Sequence, residues 1–160
     1  MIGRDEWRGM RVGIVGAARE GLALVRYLGA CGAEVVLSDA KPAEALTGAL
    51  QEIMGLQIEL ALGGAPLDVG SLDVLFVSPG VPSEAPIVEQ ARRAGVPISS
   101  EPRLLTQSVA CPVAGITGSS GKTTTTTLVG RMCEAAGLAT WVGGNIGEPL
   151  TPRLLFAETP

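Results

Sequence analysis

Arg11-Val12-Gly13-Ile14-Val15-Gly16-Ala17-Ala18-Arg19-Glu20-Gly21 is the stretch that decides the fold. Its β-branched opening suits a buried strand, and the glycines at 16 and 21 suit a tight turn into a helix. Leu22 to Leu28 then shows helical spacing and runs out at Gly29 and Gly32. Glu34 to Ser38 reads as a second strand, closed by Asp39. Strand, glycine turn, helix and strand in that order make a parallel βαβ unit.

The same rhythm continues downstream. Pro42 to Met54 is expected to be helical, with proline in its first turn. Gln57 to Leu62 and Leu72 to Val77 read as strands, the latter running into Ser78-Pro79-Gly80-Val81-Pro82. Glu84 to Ala94 reads as a helix stopped by Gly95, and Val96 to Ser99 as a short strand. Alternating strands and helices with glycine turns predict an α/β domain, Rossmann-like, with a parallel sheet. A short helical connector lies between Pro102 and Pro112. The pattern then restarts: Val113 to Thr117 as a strand, Gly118-Ser119-Ser120-Gly121-Lys122-Thr123 as a turn, a long helix to Ala136, and Leu138 to Val142 as a further strand. The expected organisation is a first domain over residues 1–107. The start of a second, a P-loop α/β ATP-binding domain, covers 108–160. A parallel sheet left unfinished exposes an edge, so the region after about Val109 is expected to be the less stable part.

Composition narrows the function classes. Net charge is −4, with only Lys41 and Lys122 as lysines against ten arginines. No basic stripe of the kind that grips a nucleic-acid backbone is visible. Histidine is absent, which removes the commonest general base and metal ligand. Cys31, Cys111 and Cys133 follow no metal-ligand spacing and read as free thiols. The charged N-terminus is no secretory signal, and no apolar run is long enough to span a bilayer. A cytoplasmic protein is expected.

Three turns carry the chemistry. In Gly118 to Thr123, glycines let several N–H groups point at one anion, and the helix behind adds its positive end. Lys122 places a cation near the β and γ phosphates, and Thr123 offers a hydroxyl to Mg²⁺. The spacing departs from Gly-x-x-x-x-Gly-Lys-Thr, because Ile116 stands where the first glycine belongs. Thr123 to Thr127 are five successive β-branched residues, poor helix formers; Thr123 and Thr124 are assigned to the site. In Gly16 to Gly21, a glycine turn at a helix start suits a diphosphate, and Asp39 suits a sugar or base hydroxyl or N–H. Ala18 replaces the middle glycine of the dinucleotide fingerprint, which speaks against a nicotinamide or flavin. The third turn is Gly143-Gly144-Asn145-Ile146-Gly147, where Asn145 offers an amide to a polar ligand.

Thr117-Gly118-Ser119-Ser120-Gly121-Lys122-Thr123-Thr124 resembles the ATP loop of the Mur ligases, Thr-Gly-Thr-Asn-Gly-Lys-Thr/Ser-Thr, whose spacing is the same. Ser120 stands where that family usually has Asn, and Ala18 where it usually has glycine. Ser78-Pro79-Gly80-Val81-Pro82 and Gly143 to Gly147 match the branch that joins D-glutamate to UDP-N-acetylmuramoyl-L-alanine. The resemblance runs from about Arg11 to Leu150. It implies an ATP- and Mg²⁺-dependent ligase working through an acyl phosphate. Gly118, Ser119, Ser120, Gly121, Lys122, Thr123 and Thr124 would hold ATP, with Lys122 catalytic and Thr123 on the metal. Gly16, Ala17, Ala18 and Arg19 would face the diphosphate and Asp39 the uracil. Pro79, Gly80 and Asn145 would complete the substrate site. It further implies a monomer, and a chain that carries the front part of such an enzyme and does not ligate alone. A sister ligase with another amino acid, a non-catalytic nucleotide-binding module and an unrelated P-loop NTPase remain open at this point.

Overall fold

The computed structural model describes residues 2–144 and 147–156. It begins with a 3-10 turn at Arg4–Trp7, followed by β1 (Arg11–Val15), α1 (Arg19–Ala30) and β2 (Glu34–Asp39). Then come α2 (Thr47–Gln51), β3 (Ile58–Leu62), β4 (Val74–Val77), α3 (Pro86–Ala94), β5 (Ile98–Ser99) and α4 (Glu101–Ser108). α5 (Lys122–Ala135) and a 3-10 turn at Thr151–Leu155 complete it.

The five strands form one wholly parallel sheet in the order β3-β2-β1-β4-β5. β1 is central, so its residues are covered on both faces. Val12 and Ile14 are fully buried, which is why this strand reads as a continuous apolar run rather than an alternation. On one face, Leu22, Val25 and Leu28 of α1 pack with Leu37, Phe76 and Leu104. The ring of Trp7 lies tilted on Phe76, 5.9 Å between centroids, and closes that layer. On the other face, Ala91 of α3 packs with Val15, Leu72, Leu75 and Val96. Each fully buried side chain of this size contributes about 1.5–3 kcal/mol.

The Rossmann-like prediction for the first part holds, with two differences in detail. The helix expected over Pro42 to Met54 is broken into a 3-10 turn at Ala43–Leu46 and the single-turn α2. Thr47 Oγ donates to the carbonyl of Glu44 at 3.0 Å, and Gly48 follows, so the backbone has a competing partner and a weak helix former together. The segment from Thr151, whose sequence carries no clear helical or strand pattern, forms a 3-10 turn that docks on α1 and α4.

The second part departs more. Val113 to Thr117 and Leu138 to Val142, expected as strands, are not strands in the structure. A strand is held by hydrogen bonds to a neighbour, and among the described residues neither segment has one. Val113 and Leu138 accordingly lie more than half exposed. α5 does form, and it approaches the chain beyond it closely: a Cβ added at Gly130 would lie 2.5 Å from a Val142 methyl.

Candidate nucleotide and phosphate sites

In an open parallel sheet, ligands collect at the carboxyl ends of the strands where the order reverses. Here that point lies between β1 and β4, and the residue standing in it is Gly16. Its N–H donates to the carbonyl of Ser38 at the end of β2 (2.8 Å), while the Ser78 N–H donates to Val15 O (3.1 Å). The Ser78 hydroxyl reaches Gly16 O at 3.4 Å. Gly16 has φ +103°, and a Cβ there would sit 2.9 Å from Ser78 Oγ, so both conformation and space require glycine. Five residues on, a Cβ at Gly21 would lie 1.9 Å from Gly16 O. Helix α1 therefore rides directly on the turn, with its amino end at the switch point.

Asp39 ties this turn down. Its carboxylate accepts from the Ala17 N–H at 2.8 Å and from the Lys41 N–H at 2.9 Å. The N–H groups of Gly16 and Ala17 are thus both spent inside the protein. Ala18, extended at φ −98°, ψ −178°, is the N-cap of α1 and has no side chain able to cap it. The first-turn N–H groups have no side-chain acceptor from the cap and form the positive end of the helix. Ala18 and Arg19 are exposed, as are Pro79 and Gly80 at the end of β4. The structure thus brings Gly16, Ala17, Ala18, Arg19, Asp39, Pro79 and Gly80 to one edge of the sheet. Ser38, which with Ser78 frames the glycine, was not singled out from sequence, whereas Ser78 stood at the head of the Ser78-Pro79-Gly80 segment expected at a strand end; the signal for Ser38 was its place beside Asp39 at the close of an apolar strand.

The second turn also opens into a helix N-terminus. Gly118 (φ +153°) and Gly121 (φ +75°) bend the chain into the N-terminus of α5. Its first helical bond runs from Thr125 N–H to Gly121 O at 3.0 Å, so the N–H groups of the first turn have no partner within the helix. Lys122 Nζ donates to Gly118 O at 2.5 Å, so the ammonium is folded over the loop it opens. Ser119, Ser120, Thr123 and Thr124 are exposed around it. This donor set, with one cation and a first-turn hydroxyl at Thr123, fits a nucleotide triphosphate and its divalent ion. Among the described residues no cluster of His, Cys, Asp and Glu offers a self-sufficient metal site. Asn145 lies outside the described residues.

Residues 10–100 match the family described as Mur ligase MurD-like, N-terminal domain. The chain belongs to the Mur ligases. Residues 116–160 match the Mur ligase middle domain, in the order expected. This Mur ligase chain is 43% identical over 155 residues to the UDP-N-acetylmuramoylalanine--D-glutamate ligase of Geobacter metallireducens, covering 96% of its own length and 34% of that protein. It is 45% identical over 142 residues to the ligase of the same name from Pelotomaculum thermopropionicum, covering 88% and 31%. The chain therefore spans about a third of the length of these relatives. Among solved structures, the UDP-N-acetylmuramate:L-alanyl-gamma-D-glutamyl-meso-diaminopimelate ligase of Neisseria meningitides superposes with a TM-score of 0.52 at 26% identity, over 88% of this chain and 46% of that one.

Proposed function

We propose that this chain is the nucleotide-sugar-binding part, and the beginning of the ATP-binding part, of a ligase. That enzyme joins D-glutamate to UDP-N-acetylmuramoyl-L-alanine during synthesis of peptidoglycan precursors in the cytoplasm. The observation that carries the reading is the pairing in one chain of a glycine turn at the sheet's switch point with a lysine-bearing phosphate loop 106 residues later, from Gly16 to Lys122. The names and coverage of the relatives support it. Residues 1–107 form the domain for the uridine nucleotide, and 108–160 open the ATP domain.

The α1 amino end, from Ala18 and Arg19, receives the diphosphate on unspent N–H groups. Gly16 and Ala17 shape that turn, and Asp39 holds it while standing at the uracil side. Pro79 and Gly80 form the wall toward the sugar, and Asn145 is its contact from the second domain. Gly118, Ser119, Ser120, Gly121 and Thr124 cradle the phosphates of ATP; Thr123 is a ligand of Mg²⁺, which neutralises phosphate charge when bound. Lys122 swings from Gly118 O to the transferring γ-phosphoryl group. There its contribution is electrostatic. The substrate carboxylate takes that phosphoryl group with release of ADP, and the amine of D-glutamate then displaces phosphate to form the amide. We assign binding to this chain and ligation to the whole enzyme, acting as a monomer.

A calorimetric titration of this chain with UDP-N-acetylmuramoyl-L-alanine, UMP and NADH tests the reading. Binding of the two uridine compounds without NADH is the expected result. NADH binding in place of the uridine compounds would sink it. A sister ligase differs in the amino acid added, so the amino-acid dependence of phosphate release by the whole enzyme separates the two.

A further inference from the structure

Glu101 is the first residue of α4, and only 3% of it is exposed. A buried charge is costly unless hydrogen bonds compensate it. Among the described residues no lysine or arginine pairs with this carboxylate. Its donors come from far along the chain. The Thr151 N–H donates to Glu101 Oε1 at 3.1 Å, and the Thr151 hydroxyl donates to the same oxygen. Thr151 is itself fully buried.

This pair sets a direction as well as a contact. Thr151 opens the 3-10 turn at Thr151–Leu155, whose N-cap, Leu150, makes no capping bond, and Pro152 behind it has no N–H to satisfy. Glu101 therefore supplies the missing acceptor from another element. Leu154 joins the core layer that holds Leu22 and Leu104, and Arg4 donates to Leu154 O. Apolar burial of that kind is non-directional. Two hydrogen bonds to one carboxylate oxygen fix how the turn is oriented on α4. The residues upstream are bound to it closely. The Gly144 N–H donates to Glu148 O at 3.2 Å. A Cβ at Gly143 would lie 2.5 Å from a Leu150 methyl and 2.6 Å from Glu148 O, so Gly143-Gly144 packs directly on the residues that lead into Thr151.

On its other side Glu101 neighbours α1. Its charge reaches Glu20 in the first turn of that helix. One carboxylate thus stands between the amino end of α1 and the chain that carries the Gly143 turn. We propose that Glu101 is a positioning residue for the nucleotide sugar: by holding Thr151 it fixes the turn that starts at Gly143 relative to the amino end of α1, so that the sugar is gripped from both parts of the chain. Being buried, Glu101 acts through Thr151 and not on the ligand. This rests on the nucleotide-sugar reading and on the sugar contact assigned there to the second domain.

The test is calorimetry on this chain with UDP-N-acetylmuramoyl-L-alanine and with UDP, which lacks the sugar. The unaltered chain is compared with Glu101→Ala, Thr151→Val and Thr151→Ser. The expected result is nucleotide-sugar binding weaker by about tenfold in Glu101→Ala and Thr151→Val, with UDP affinity unchanged. Thr151→Ser keeps the hydroxyl and should bind as the unaltered chain does. Retained UDP affinity shows that the first domain of each variant is folded, and general destabilisation would not separate the two ligands. Trp141 gives a second readout: it is half-buried under the Arg153 guanidinium, whereas Trp7 is buried in the core. Its emission should shift to the red when Thr151 is released. Equal losses for both compounds in Thr151→Val, unchanged nucleotide-sugar affinity, or a Thr151→Ser chain as weak as Thr151→Val would overturn the proposal. Binding of neither compound by the unaltered chain would overturn the nucleotide-sugar reading itself, and this proposal with it.

Discussion

The Asp39 carboxylate at the end of β2 accepts a hydrogen bond from the Ala17 N–H across the crevice, 2.8 Å away, and so fixes the turn that leads β1 into α1. Its other oxygen holds the Lys41 N–H. The residue that sequence patterning assigns to a ligand is thus also a brace for the loop beside it. Asp39→Ala is expected to cost about 1–2 kcal/mol, the range for a hydrogen bond to a charged acceptor at a partly exposed site. Asp39→Asn, which keeps one acceptor oxygen, should recover part of that. Urea denaturation gives the stability, and UMP titration gives the accompanying loss of affinity. An Asp39→Ala protein as stable as the unaltered chain would rule out the brace.

Gly21 is the point of closest approach between helix and turn. An added Cβ meets a backbone oxygen, Gly16 O at 1.9 Å, and not the flexible end of a side chain. Gly21→Ala must therefore move α1 or the turn, and about 3 kcal/mol of stability is expected to go with it. Gly29→Ala makes the control, because a Cβ there meets nothing within 4 Å and alanine is the better helix former. Chemical denaturation should show the first variant weakened and the second equal or slightly stronger.

Glu20, in the first turn of α1, has one carboxylate oxygen buried without a hydrogen-bond partner. Burial pushes its pKa above the ordinary 4.5, the nearby Glu101 charge pushes the same way, and Arg19 opposes both. A carboxyl whose pKa is raised on folding holds its proton more tightly in the native state. Its contribution is best below the ordinary value, falls as pH rises through the raised value, and is then constant. Glu20→Gln should remove that loss. Melting temperatures are expected to converge near about pH 4 and to favour the variant by about 1–3 °C at about pH 7. A gap that widens toward acid would contradict the assignment.

Stability should be unevenly divided along the chain. Leu128 and Met132 of α5 are 58% and 62% exposed, whereas Thr151 is fully buried and Leu154 nearly so. Thr151 donates both its N–H, at 3.1 Å, and its hydroxyl to the buried Glu101 carboxylate, and Arg4 donates to Leu154 O. Arg153 stacks on Trp141 at 5.9 Å. Amide exchange should be slow in α1 and at Thr151 and fast across Lys122–Ala135, since few buried contacts hold that helix. Glu101→Ala should release the Thr151 amide selectively. Equal protection of α5 and α1 would contradict this.

The sequence by itself determined the βαβ unit, because apolar runs of strand length, glycines at a turn and helical spacing are local signals that burial of β1 merely enforces. It also determined the glycine turn into α5, since φ values open to glycine and a lysine at the helix start are written residue by residue. Membership of the Mur ligases was legible for the same reason. What tertiary structure alone decided is where unpaired backbone finds partners. Val113 to Thr117 has the composition of a strand, yet a strand is a relation between segments, and no described neighbour flanks it. Thr151 to Leu155 looks featureless, yet a carboxylate fifty residues earlier, Glu101, buries it.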